Sequence, residues 1–152
     1  MLITGIIILV PFIIYTSNRR DPPHFIFGYL NEERKMGNYP TEVFIDVNIT
    51  LHFFVTSFWS QTVDIQVRQI VGKNTTTSLN SNGSLNGTSI ENFTHNITVS
   101  ERWESEPVIT SFSEVLDPSE HYLIIFELWI NEDAGWVFLE DQIVYNRLNV
   151  TN

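Results

Sequence analysis

The chain contains no cysteine, which excludes disulfide scaffolds, thiolate metal sites and cysteine nucleophiles together. That absence leaves the compartment open. Cations are also scarce: 8 Lys and Arg stand against 18 Asp and Glu, a net charge of −10. A phosphate backbone is held by clustered basic residues, and Arg19–Arg20 and Arg34–Lys35 are the only adjacent pairs. Nucleic acid is therefore not an expected partner. No Gly-rich phosphate loop follows a strand pattern and no Gly-x-Ser-x-Gly elbow occurs, so two common enzyme signatures are missing. His24, His52, His95 and His121 lie 25 or more residues apart, with no local metal-ligand spacing.

What the chain has in quantity is alternation. From Glu42 to Val55 the odd positions carry Val43, Ile45, Val47, Ile49, Leu51, Phe53 and Val55, while the even positions are mostly polar. Successive side chains on a strand point to opposite faces, so this pattern predicts one buried and one mainly wet face. After Ser57–Phe58–Trp59–Ser60 the alternation resumes through Val63, Ile65 and Val67. Two long neighbouring strands joined by a short connection are expected. A length of 152 residues suits a single domain with a real core.

Leu2 to Tyr15 is almost wholly apolar. A bilayer core takes about 20 residues, with about 17 as the lower limit, so the run is short for a span, and Pro11 kinks it. A signal peptide competes, but no basic region precedes the run and no small-x-small cleavage site follows it. A buried core element is the third reading. The expected organisation is a transmembrane helix over residues 1–18, a membrane-proximal linker and first strand over 19–40, and a β-domain over 41–152.

Orientation is contested. Arg19–Arg20 favour a cytoplasmic domain by the positive-inside tendency. Seven Asn-x-Ser/Thr triplets argue the opposite, beginning at Asn48, Asn74, Asn82, Asn86, Asn92, Asn96 and Asn149. Chance placement of 14 Asn supplies roughly two or three such acceptors. The excess outweighs two arginines, so the domain is expected on the extracytoplasmic side, glycosylated at these positions. A Ser/Thr/Asn-rich loop that generates triplets by composition alone is the plain alternative.

Residues 73–96 have few side chains able to fill a core, and are expected to form a long mobile loop. Strands are expected again from Ile97 to Arg102, Val108 to Val115, His121 to Ile130 and Trp136 to Val150. His121 to Ile130 is nearly continuous in apolar residues, with Glu127 interrupting, as in a central strand covered on both faces. Asn131 to Gly135 reads as a hairpin turn, and Glu140–Asp141–Gln142 as a bulge or a break between two short pieces. About seven strands without an amphipathic helix after residue 20 predict an all-β, immunoglobulin-like β-sandwich preceded by one transmembrane helix.

Chemistry is thinly represented. Glu104 and Glu106 would share a strand face, where Asp64 or Glu42 joining them would make a calcium site; a solvated edge is the plainer account. No catalytic residue, metal site or cofactor is assigned. Phe44, Phe54, Phe58 and Trp59 form a candidate aromatic contact patch for sugar rings or a partner protein, unless this face is covered. Trp59 and Trp136 suit the membrane headgroup level equally.

The stretch FIFGYLNEERKMGNYPTEV after a hydrophobic segment, followed by a long alternating strand, resembles the C-terminal region of an archaeal membrane-protein family called domain of unknown function 1616. Phe25 to Leu30, Asn38–Tyr39–Pro40, Ile97 to Trp103 with Glu104, and His121 to Trp129 carry the likeness over about Pro22 to Val150. The family's Asn-His-Glu after the long strand is replaced by Ser57–Phe58–Trp59–Ser60. The resemblance implies an exported β-domain tethered by helices, and brings no activity or catalytic residue. Two functions stay open. One is a membrane-anchored module that binds an envelope protein or glycan, or supports the cell envelope. The other is an envelope-glycan or metal-dependent hydrolase using Glu101, Glu104, Asp64 and His52, which requires those groups to share one cleft.

Overall fold

The computed structural model describes residues 23–80, 83–112, 117 and 119–151. The expected transmembrane helix and the arginine pair behind it lie outside them, as does Asn82. Among the described residues no helix is long and apolar enough to cross a membrane. The described residues form an all-β sandwich of eleven strand segments. β1 (Phe25–Leu30), β3 (Asn48–Ser57), β8 (Arg102–Glu104) and β9 (Val108–Ser111) form the smaller sheet, with β3 between β1 and the β8/β9 edge. β2 (Glu42–Val43), β11 (Gly135–Val150), β10 (His121–Glu132), β4 (Val63–Lys73) and β7 (Thr88–Ile97) form the larger one in that order. A two-stranded hairpin, β5 (Ser78–Asn80) and β6 (Gly83–Leu85), joins neither ladder and packs against the larger sheet.

The long alternating run does not make one strand with a neighbour beside it. Asp46 takes a left-handed φ of 63°, a conformation Asp tolerates in turns, and the Val47 N–H donates to the Phe44 carbonyl across that turn. β2 pairs in parallel with the end of β11 in the larger sheet, so the chain changes sheet at residues 44–47. Ile45 and Val47 are exposed as a result. β3 and β4 lie in different sheets, and the short link between them bridges the sandwich instead of turning a hairpin.

The core follows from the alternation. Leu51, Phe53 and Val55 point inward from β3, and Ile65, Val67, Phe126 and Leu128 meet them from the larger sheet. Phe53 contacts Phe93, Trp103 and Phe126 with ring centroids 5.2, 5.0 and 5.8 Å away, at tilted or edge-on angles that favour aromatic pairs. β10 is central and covered on both faces, as its near-continuous apolar run predicts. The hairpin closes at Asp133–Ala134, with Glu132 opposite Gly135 at φ 120°. The expected bulge is present: the pairing jumps from Glu127↔Ile143 to Trp129↔Phe138, and Asp141 sits at φ 66°.

Two polar features bind the sheets. Gln69 is fully buried and its Nε2 donates to Thr110 Oγ1 at 2.7 Å across the core. On one open side, Tyr29 of β1 donates to the Tyr145 carbonyl of β11 at 3.0 Å, and Tyr39 donates to the Tyr29 carbonyl at 2.9 Å. Burial, with Tyr39 and Tyr145 alongside, pushes the Tyr29 phenol up to about 12, so its hydroxyl stays a donor well into the alkaline range.

Phe54 projects from the outer face of β3 yet is buried, because its ring lies flat across Gly28 of the adjoining β1. A Cβ on Gly28 would stand 2.8 Å from that ring, so the glycine is required for close approach. Gly28→Val is expected to cost about 1–3 kcal/mol through overpacking, read as a lower urea midpoint. Phe54→Leu in the same chain restores part of it; equal losses with and without Phe54→Leu would refute this packing role.

Candidate functional site

The strand registers give the sandwich two distinct ends. At the entry end, β1 begins with Phe25 opposite Ser57, β7 finishes with Ile97 opposite Val63, and β10 turns into β11. At the far end, β3 begins at Asn48 opposite Ser111, β4 closes with Lys73 opposite Tyr122, and His121 pairs with Asn149.

All six described acceptor asparagines are exposed: Asn48, Asn74, Asn86, Asn92, Asn96 and Asn149. Asn48, Asn74, Asn86 and Asn149 stand at the far end, while Asn92 and Asn96 point outward from the edge strand β7. Their amides differ. Asn86 donates to the Thr76 carbonyl at 3.2 Å, Asn96 donates to Asp64 Oδ1 at 2.7 Å, and Asn48 Oδ1 accepts from Ser111 at 2.8 Å. Asn74 lies in the exposed turn after β4, with no side-chain hydrogen bond among the described residues.

The segment expected to be a mobile loop over 73–96 is instead β5, β6 and β7. Its pairing partner is β4 for the length of β7, because a polar sequence can still form an edge strand whose outer side faces water. The hairpin is held down by Glu127, the residue that interrupts the apolar run of β10. Glu127 is 2% exposed; its carboxylate accepts from the Ser84 N–H and hydroxyl and, at 3.1 Å, from the Trp129 indole. Gly83, at φ 96°, leaves room for it: a Cβ there would lie 2.9 Å from Oε1. Arg68 stacks over the Trp129 ring at 3.6 Å and supplies positive charge beside the carboxylate.

The aromatic patch does not assemble. Phe54 and Trp59 are buried, the latter edge-on to Phe25 at 6.3 Å. Phe44 and Phe58 are 39% and 52% exposed, but lie beyond opposite ends of β3, about 30 Å apart for a strand of this length. Burial of Phe54 was hidden in the sequence because its cover is a glycine on another strand. On its other side Arg102 stacks at 4.0 Å, and Glu104 bonds Arg34 at 3.2 Å and faces Arg102 at 3.7 Å.

The groups required for a hydrolase do not share a cleft. His52, expected on the wet face, is buried with Nδ1 3.1 Å from the Ser105 carbonyl. Glu104 is in the arginine network on the smaller sheet, Asp64 faces Asn96 on the larger, and Glu101 caps the turn after β7. Glu42 lies at the other edge of the larger sheet. Among the described residues no three His, Asp or Glu groups are placed to hold a metal ion. A depression of 410 Å³ at the far end is lined by Glu32, Glu33, Glu42, Phe44 and Asn48 among others, with no cation in its wall.

The sequence also missed a clip at the entry end. His95 Nε2 lies 2.7 Å from Glu101 Oε1, and its ring stacks on Trp103 at 4.8 Å. Glu101 Oε2 accepts from the Thr98 N–H and hydroxyl at 2.7 and 2.9 Å. These bonds, that from His95 foremost, hold the Glu101 carboxyl down at about 2.

No family model matches the chain, and no curated protein does. Among solved structures, the CARDB domain of the PF1109 protein from Pyrococcus furiosus, in complex with di-metal ions, is similar at 13% identity and a TM-score of 0.51. The match covers 85% of this chain and 89% of that one. A β-glucosidase from Listeria innocua in complex with glucose matches at 6% identity and a TM-score of 0.52, over 86% of this chain but 16% of that chain. At these identities the likeness is one of fold, and it fits a β-sandwich of the immunoglobulin-like kind.

Two outcomes are expected. Glu127→Gln leaves the Ser84 donors poorly matched and opens the hairpin by about 1–3 kcal/mol, seen as faster limited proteolysis within residues 78–87; an unchanged cleavage rate would remove Glu127 as the anchor. Because the folded Glu101 carboxyl binds its proton less readily than an unfolded one near 4.5, its contribution is complete above that pH and fades as pH falls toward about 2. Glu101→Gln should lower stability at neutral pH and flatten the stability profile across that window in acid titrations.

Proposed function

We propose that this chain is a membrane-anchored, N-glycosylated β-sandwich module on the extracytoplasmic side of a cell membrane, with a binding or structural role in the envelope and no catalytic one. The observation that carries the reading is the placement of the acceptors. Every described acceptor asparagine is exposed, and four of the six stand at the end opposite the point where the chain enters the sandwich. An anchor formed by the apolar run before residue 16 would lead into the entry end, with Asn48, Asn74, Asn86 and Asn149 farthest from the membrane. Glycans there would extend into solvent and shield the exposed Ile45 and Val47 beside Asn48. The architecture itself suits either a binding or a catalytic role, since fold does not fix function; it is the placement of the acceptors that favours the first. The resemblance to the archaeal membrane family supports the same placement, with an envelope protein or glycan as its partner.

Intact mass of the protein purified from its own membranes, before and after chemical deglycosylation, tests this directly. The expected result is a mass loss mapping to peptides that contain Asn74 and Asn86, both exposed at the far end. An unmodified chain would overturn the glycosylated, extracytoplasmic reading.

A further inference from the structure

We propose that the entry end of the sandwich is a lipid-facing surface, seated on the bilayer at headgroup depth through Phe58, Val99 and Val137 with Trp136 beside them. The inference rests on the anchored reading above. These side chains come from three separate connections: the β3–β4 link, the turn between β7 and β8, and the foot of the β10–β11 hairpin. The registers bring them to one end, because Ser57 pairs with Phe25, Ile97 with Val63, and Val137 with Ile130. Phe58, Val99 and Val137 are 52%, 49% and 41% exposed, with the His24 ring edge-on to one side of Phe58 at 5.8 Å.

The chain outside the described residues identifies the occupant. Seven residues separate Tyr15, the last of the apolar run, from Pro23 at the foot of β1. Even fully extended, they reach at most about 25 Å. An anchored run therefore holds the foot of β1 within that distance of the bilayer, whereas the far end lies a strand length of about 30 Å beyond it. Apolar and aromatic side chains at such a distance gain by inserting among headgroups, with Trp favoured at that level. The far end also exposes apolar residues, Phe44, Ile45 and Val47, but these neighbour Asn48 and the other far-end acceptors. Near the entry end only Asn96 is an acceptor among the described residues, and it points outward from the sheet face. Charge at the entry end is mixed: Glu132 and Asp133 stand at the β10–β11 turn, Arg102 opposite Thr56 faces Glu104, and Glu101 is engaged by His95. Seating is thus led by the apolar side chains and requires no anionic lipid.

The absence of cysteine makes the test clean. Single-cysteine chains Phe58→Cys, Val99→Cys, Val137→Cys and, as the far-end control, Val47→Cys are labelled with an environment-sensitive fluorophore. Each full-length chain is reconstituted into phosphatidylcholine vesicles carrying a nitroxide near the top of the acyl chains. All four positions are exposed, and unlabelled tryptophan quenching in the native chain provides a readout free of substitution. The expected result is co-flotation with vesicles, blue-shifted and quenched emission at residues 58, 99 and 137, and water-like emission at 47. Flotation with all four labels in water would overturn the seating while the anchor stands. Blue shift at 47 alone would overturn it by reversing the orientation. Failure to float would remove the anchor and this inference with it.

Discussion

Phe53 occupies the point on which both sheets depend. It projects from the middle strand of the smaller sheet and touches Phe126 on the central strand of the larger one, Phe93 on its edge and Trp103 on β8. With no disulfide available to staple the sheets, their apposition rests on this aromatic contact and the aliphatic rows around it. Burial of such side chains is worth about 1.5–3 kcal/mol each, and the gain is realised only when both sheets are formed. The Gln69–Thr110 bond adds alignment more than energy, since a neutral hydrogen bond contributes about 0.5–1.5 kcal/mol net.

The outer faces solve a different problem. A two-sheet sandwich ordinarily leaves them wet, yet both are partly roofed here. On the smaller sheet, Gly28 allows Phe54 to lie flat, Arg102 stacks on it, and Glu104 ties that arginine to Arg34 in the loop after β1. That loop is shaped by Asn31, whose Oδ1 accepts from the Glu33 and Lys35 N–H groups at 3.0 and 2.9 Å. On the larger sheet, the β5–β6 hairpin covers Glu127 and packs Leu79 against Ile70, Leu123 and Ile125. In both places a charged group fixes polar chain over an apolar patch, and that gives the domain its solvent-facing surfaces.

Much of the architecture is legible in the sequence. The inward rows of β3 and β4, the doubly covered β10, the Gly135 turn and the bulge near Asp141 all follow from spacing and turn chemistry. The failures have identifiable causes. Alternation through Val43, Ile45 and Val47 continued unbroken, but only pairing partners decide whether a run stays in one sheet, and Asp46 turns the chain between two. The Asn- and Thr-rich stretch offered no apolar row, because its ladder depends on β4 beside it. Glu127 looked like an interruption; a lone carboxylate in an apolar strand was in fact the signal of a buried acceptor awaiting donors from elsewhere.

Composition and local pattern by themselves determined the all-β class, the core-facing residues of the long strands, the lack of cysteine chemistry and the positions of the acceptor triplets. These are properties of single residues and near neighbours, carried by the two-residue period and by charge. The tertiary structure alone decided which strands share a sheet, that His52 and Phe54 are buried, that the acids disperse, and that four acceptors gather opposite the point of entry. Each of those depends on contacts between residues distant in sequence, such as Gly28 with Phe54 or Ser84 with Glu127, and no local pattern encodes which distant partner arrives.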